Sequence, residues 1–334
     1  MGGRHIALQV LGTGEFIPGR RVESCEFDRR WGKEPGWTLS HTGVASRAYI
    51  EPGEDTITMG VAAARDALRA ADLNAERLDA IISVGSVAYQ AIPCTATFLQ
   101  RALGLQDSGI AAFDVNSTCL GFIVALDLVA QAIATGRYRT VLIVASEPSS
   151  LGLNWDDPFT AGLFGDGAAA VVVGASRRSG TALRASHVQT FSAGLEYCQI
   201  RAGGTGLHPR LRPDEFLAGT VFEMQGKLTY RMAAELLPGF LSTLFTRAGV
   251  APEQIDTWVP HQASGRAIAH LRKALQLPAD KVVTTLETTG NQVSASLPVA
   301  LHRGITAGRI RAGTLVALVG SGAGLSFGGA VLQF

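Results

Sequence analysis

Apolar and polar positions alternate along this chain in two rhythms. Residues 57–71, "ITMGVAAARDALRAA", put Val61, Ala64, Leu68 and Ala71 on one face, and that spacing predicts an amphipathic helix. The run "LDAIISVGSV" that follows has no polar face, as a strand covered on both sides requires. Helix followed by buried strand is the rhythm of an α/β fold.

Both rhythms return far downstream. "AADLNAERLDAIISVGS" (70–86) matches "RAGVAPEQIDTWVPHQA" (247–263) in its helix end, its turn and its Asp-led strand. "AIATGRYRTVLIVASE" (132–147) resembles "GITAGRIRAGTLVALVGSG" (304–322), and "GDGAAAVVVG" (165–174) is echoed by "SFGGAVLQF" (326–334). A common order of matches implies duplication. The chain is therefore expected to hold two similarly folded halves, 1–175 and 215–334. Residues 176–214, rich in Gly, Pro and Arg, are expected to connect them through loops or hairpins.

With 47% hydrophobic and 17% charged residues over 334 positions, the chain is long enough to bury an extensive core. Its net charge of +1, without a basic block, gives no reason to expect a nucleic-acid partner. No apolar run reaches the length of a membrane span, and the N-terminal run is too short and glycine-rich for a signal peptide, so a cytoplasmic protein is expected. It begins Met-Gly, but Ile6 stands where N-myristoylation wants serine or threonine. Cys25, Cys94, Cys119 and Cys198 are widely spaced, predicting free thiols and no metal site.

Candidate chemistry concentrates in three places. "FDVNSTCLGF" (113–122) sets Cys119 between a strand and a helix whose face is apolar except for Asp127 and Gln131. With Ser117 or Thr118 as cap, Cys119 would occupy the first turn, where free N–H groups and the helix dipole favour a thiolate. Of seven histidines, His261 in "DTWVPHQASGRAI" ends an apolar strand, where α/β sheets bind ligands. Asn291 in "TTGNQVSASLPVAL" precedes a small-residue helix, and the repeat gives it a place comparable to that of Cys119. The glycines of "GSGAGLSFGG" (320–329) allow backbone N–H groups close to a bound atom. Each feature has a plain structural alternative: a small buried hydrophobe for Cys119, a core histidine, a helix N-cap for Asn291, a tight glycine turn.

Taken together and in order, "GWTLSHTGV", the Cys119 segment, "LFGDGAAAVVV", "VPHQASGRAI", "TTGNQVSASLP" and the terminal glycine segment resemble the thiolase-like condensing enzymes, specifically the β-ketoacyl-acyl-carrier-protein synthase III family. That resemblance implies a five-layered αβαβα fold of two pseudo-symmetric halves. It also implies that Cys119 is acylated by an acyl-CoA or acyl-carrier thioester and that a malonyl thioester then loses CO2 and condenses with the acyl group. His261 and Asn291 would hold the second thioester, and the Cys119 and Ala323 N–H groups would form the oxyanion hole. No cofactor or metal is implied, coenzyme A thioesters being substrates.

The resemblance further implies that Trp37 stacks on adenine, with His41 where an arginine is usual. Ser264 replaces a common asparagine, and Arg266 keeps the position associated with docking an acyl carrier protein; surface solvation is its structural alternative. Ile92 stands where a phenylalanine limits the acyl pocket from across a homodimer interface. These departures suggest a specialised, secondary-metabolic relative. Non-decarboxylative condensation of two acyl thioesters, acyl transfer to an alcohol or amine, and a non-catalytic acyl-binding subunit are the competing functional readings.

Overall fold

The computed structural model describes residues 5–334, so the Met-Gly start that bears on lipid anchoring lies outside the described residues. Its strands, in chain order, are β1 (Leu8–Phe16), β2 (Arg20–Glu23), β3 (Ser46–Tyr49), β4 (Ala80–Ser83), β5 (Ala111–Asp114), β6 (Thr140–Glu147), β7 (Gly167–Ala175), β8 (Ala182–Thr190), β9 (Cys198–Gln199), β10 (Glu223–Met224), β11 (Thr257–Pro260), β12 (Leu315–Gly322) and β13 (Ser326–Gln333). One sheet has the order β1-β7-β6-β4-β5 and a second the order β11-β12-β13-β8; β2-β3 and β9-β10 form small ribbons.

Strand alternation builds the layers. In β6, Val141, Ile143 and Ala145 join a core shared with the helices Gly121–Ala134 and Ser296–Thr306. Leu142 and Val144, one residue out of step, face the helix Thr56–Ala70 instead. The same division runs through β12, where Val316 and Leu318 point to the shared core while Ala317 and Val319 meet the helix Gly226–Ala248. Side chains of opposite parity must leave opposite faces of a sheet. Three cores between five layers follow: outer helices, sheet, two central helices, sheet, outer helices. This is the expected αβαβα architecture.

Pairing repeats as well. β4 and β6 run parallel, as do β11 and β12; β6 meets β7 antiparallel, as β12 meets β13. β1 closes the first sheet against β7, and β8 closes the second against β13. The stretch 176–214 is therefore not purely a connection, because it supplies β8 to the second sheet. Its pattern conceals the strand: His187, buried and stacked on Phe240 with ring centroids 5.4 Å apart, takes a position where an apolar residue would mark the inward face. Among the described residues no helix is long and apolar enough to cross a membrane.

Candidate active site

After β5 the chain keeps pairing for one residue, Val115 donating to the Ser83 carbonyl at 2.8 Å. It then turns sharply. Thr118 adopts a left-handed φ of 47°, its N–H donating to Asn116 Oδ1 at 3.0 Å. Residues Thr118–Leu120 form a short 3-10 turn before the helix Gly121–Ala134 begins. The expected cap is absent: neither Ser117 nor Thr118 caps that helix, whose N-cap is Leu120, and the Thr118 hydroxyl is buried without a partner among the described residues. Cys119 thus stands just ahead of the helix. Gly121 is required there, since a Cβ would lie 2.6 Å from the Val84 carbonyl oxygen.

The thiol's setting also departs from expectation. Burial, reinforced by the Glu147 carboxylate and by Cys198, pushes the Cys119 thiol up to about 12, while the N–H groups of Cys119 itself and of Ala323 pull the other way. The resting group is a thiol. The two N–H groups that favour the thiolate come from different segments, one from the 3-10 turn and one from the hairpin between β12 and β13. Glu147, at the end of β6, is 3% exposed and accepts from Ser86 N–H at 2.7 Å, Ser86 Oγ at 2.8 Å and Ser294 N–H at 3.3 Å.

His261 extends β11, its N–H donating to Val319 at 2.8 Å. The end of β12 lies between it and the cysteine: a Cβ on Gly320 would sit 2.9 Å from His261 Cβ, and one on Gly322 would sit 2.9 Å from Thr118 Oγ1 and 3.7 Å from Cys119 Cβ. Burial depresses His261 to about 4, and its Nδ1 has no partner among the described residues. The imidazole is neutral at physiological pH.

Asn291 is fixed from several sides. Its N–H donates to Leu163 at 2.9 Å and its carbonyl accepts from Gly165 at 3.1 Å. Oδ1 accepts from Val293 N–H at 2.9 Å and Ser296 Oγ at 3.3 Å, while Nδ2 donates to Ala263, two residues beyond His261, at 3.3 Å. A primary amide has two N–H bonds, so one remains for a ligand. The 3-10 turn Val293–Ala295 that follows matches Thr118–Leu120, with Val293 at φ 49°. By that register the counterpart of Cys119 is Ser294, and Asn291 corresponds to Asn116; the alignment of Asn291 with Cys119 expected from the repeat is corrected by three residues.

Gln262 and Gln292 escaped the sequence reading. The Gln262 amide, fully buried, accepts from Thr285 N–H at 2.8 Å and Leu286 N–H at 3.1 Å and donates to Pro260 at 2.7 Å. It fastens the approach to Asn291 onto the His261 strand. Gln292 Nε2 donates to Asp166 O at 2.9 Å, and the Asp166 carboxylate in turn holds Ile50 and Ser150 N–H groups at 2.8 and 2.7 Å. Burial lifts that carboxyl to about 6. The visible signal for Gln262, Gln292 and Asp166 alike is a polar residue inside a motif otherwise rich in apolar or small residues.

The remaining candidates come from other segments. Trp37 and His41 share the short helix Trp37–Thr42, their rings stacked 4.2 Å apart, with His41 Nδ1–H donating to the Trp37 carbonyl at 2.7 Å. Phe159 lies 5.2 Å from Trp37 and the Lys33 ammonium 5.2 Å from its ring centroid. Ser264 caps the helix Gly265–Ala274, accepting from Ala267 N–H at 3.2 Å. Arg266 is exposed in that helix's first turn, which abuts Gly43 at the end of the Trp37 helix. Ile92, on the loop after β4, is 83% exposed and touches little of its own chain. Cys25, Cys94, Cys119 and Cys198 are free, and no three potential ligands gather to hold a metal among the described residues.

Comparison with known proteins agrees with this architecture. Residues 113–192 match the family described as 3-oxoacyl-[acyl-carrier-protein] synthase III, and residues 245–334 match its C-terminal part. The beta-ketoacyl-[acyl-carrier-protein] synthase III of Caldanaerobacter subterraneus subsp. tengcongensis is 33% identical over 329 residues, 98% of either chain. The structure of 3-oxoacyl-[acyl-carrier-protein] synthase III from Aquifex aeolicus superposes with a TM-score of 0.88 at 30% identity, covering 98% of this chain and 100% of that one. The priming β-ketosynthase from the R1128 polyketide pathway superposes equally well, TM-score 0.88 at 32% identity, covering 100% and 98%. Fold, sequence and the order of the motifs place the chain in the β-ketoacyl-acyl-carrier-protein synthase III family of condensing acyltransferases.

Proposed function

We propose that the chain catalyses a decarboxylative Claisen condensation, with Cys119 as nucleophile. The Cys119 sulfur attacks the carbonyl of an acyl-CoA or acyl-carrier thioester. The tetrahedral oxyanion is held by the Cys119 and Ala323 N–H groups, the thiol proton passes to the departing thiolate, and an acyl-enzyme remains. A malonyl thioester then loses CO2. Its developing enolate oxygen accepts from His261 and from the free N–H of Asn291, and the enolate carbon displaces Cys119 from the acyl group to give a β-ketoacyl product, the released Cys119 thiolate taking up a proton from solvent to restore the thiol. A neutral imidazole and an amide suit this task, whereas a carboxylate would repel the enolate.

The observation that carries this reading is the close packing of the end of β12, through Gly320 and Gly322, against both His261 and the Cys119 turn, with that histidine kept neutral by burial. Around that centre, Trp37, His41 and Ser264 line the entry taken by the coenzyme A or pantetheine arm. Arg266 meets an acidic acyl carrier protein in the exposed turn next to them. Ile92 reaches the acyl pocket of a second copy in a homodimer, and its modest size admits a longer or branched chain than phenylalanine would. The enzyme works in the cytoplasm without metal or cofactor.

Intact mass after incubation with a panel of acyl thioesters tests the proposal. Adducts should form, vanish in Cys119→Ser, and be discharged by a malonyl thioester. An adduct that malonyl leaves in place would assign a different acceptor, and no adduct from any donor would remove the nucleophile from the account.

A further inference from the structure

The two halves carry the same asparagine clamp, and the chemistry proposed above uses only one of them. In the second half Asn291 Oδ1 takes the Val293 N–H at 2.9 Å and Nδ2 donates at 3.3 Å to Ala263, three residues beyond the end of β11. In the first half Asn116 Oδ1 takes the Thr118 N–H at 3.0 Å and Nδ2 donates at 2.9 Å to Ser86, three residues beyond the end of β4. Both clamped residues are non-glycine at left-handed φ, 47° for Thr118 and 49° for Val293. L side chains disfavour that conformation and adopt it where surrounding bonds impose it.

From this duplication we infer that Asn116 is a positioning residue for the nucleophile, holding Thr118 so that the Cys119 N–H and sulfur keep the geometry acyl transfer needs. Its grip is itself anchored. Ser86, whose carbonyl Asn116 holds, is tied through its N–H and hydroxyl to Glu147, and Glu147 also takes the Ser294 N–H at the matching place in the other turn. One buried carboxylate thus sets the two clamps relative to each other. Asn116 is exposed, so its replacement leaves the core intact.

The inference rests on Cys119 being the acylated residue, and the test is read as a ratio to the unsubstituted protein. Acyl-adduct formation needs the oxyanion donors, whereas alkylation of the same thiol by iodoacetamide does not. Asn116→Ala should slow acylation about tenfold or more, a loss in the range that small misplacements cost, with alkylation within about threefold of the parent. Asn116→Ser keeps an acceptor for the N–H two residues on, and should recover most of the acylation rate. Parent-like acylation in Asn116→Ala, or equal losses in acylation and alkylation, would overturn the inference. Failure of the unsubstituted protein to acylate would instead strike the proposed function.

Discussion

The turns at 116–120 and 291–295 share a backbone and differ in what surrounds it. Each has an asparagine clamp, a left-handed second residue and a short 3-10 segment leading into a central helix. In the first, the third position past the clamp is Cys119, and the clamp grips Ser86, which Glu147 ties to the Ser294 N–H of the second turn. In the second it is Ser294, and the approach is held by the buried amides of Gln262 and Gln292, whose structural counterparts are Gly85 and Ser117. A duplicated scaffold has been fitted with a nucleophile on one side and an enolate-stabilising amide on the other. The backbone supplies position, and the side chains packed behind each turn decide its chemistry.

Removing Gln262 should break the comparison hardest. Gln262→Ala strands the buried N–H groups of Thr285 and Leu286, at about 1–3 kcal/mol each. Denaturant unfolding should show a loss of several kcal/mol, and condensation should fall with it because Asn291 follows that segment. A loss under about 1 kcal/mol would mean that the second turn stands without its amide.

The acidity of the nucleophile sharpens the same contrast. A thiol raised to about 12 stays protonated at neutral pH, so alkylation of Cys119 should climb about tenfold per pH unit from 7 to 10 with no plateau. Glu147→Gln removes a nearby negative charge and should move the profile toward lower pH. A plateau below pH 9 in the parent protein would show a thiolate favoured at the turn after all. The smallest effect is expected at the rim: Arg266→Glu should raise KM for a carrier-bound malonyl thioester several-fold, leave the thermal midpoint unchanged, and spare the coenzyme A thioester.

Much of this was legible beforehand, in an uneven way. Period-2 and period-3.6 patterns reveal β6, β12 and the helices packed on them because each face meets one kind of surroundings. β8 escaped notice because a buried neutral histidine, His187, stands on its inward side. Cys119 was recognisable from a change of character in the chain, a polar hinge between two apolar runs. Its acidity was not, since burial and the charge of Glu147 come from segments distant in sequence, and the helix starts after the cysteine rather than before it. Gln262 and Gln292 were missed for a related reason: a buried amide looks like any other polar residue until the N–H groups it satisfies are brought to it by folding.

The division of labour between the two turns is tested most directly by running the half-reactions separately in two variants. Acyl-adduct formation would be followed by intact mass and CO2 release from a malonyl thioester by isotope label, in Cys119→Ser and Asn291→Ala. The account predicts that Cys119→Ser forms no adduct yet still releases CO2, while Asn291→Ala forms adducts within about threefold of the parent rate and loses CO2 release by about 10²-fold or more. Loss of both half-reactions in both variants would contradict it, showing a single undivided site in place of two turns with separate tasks.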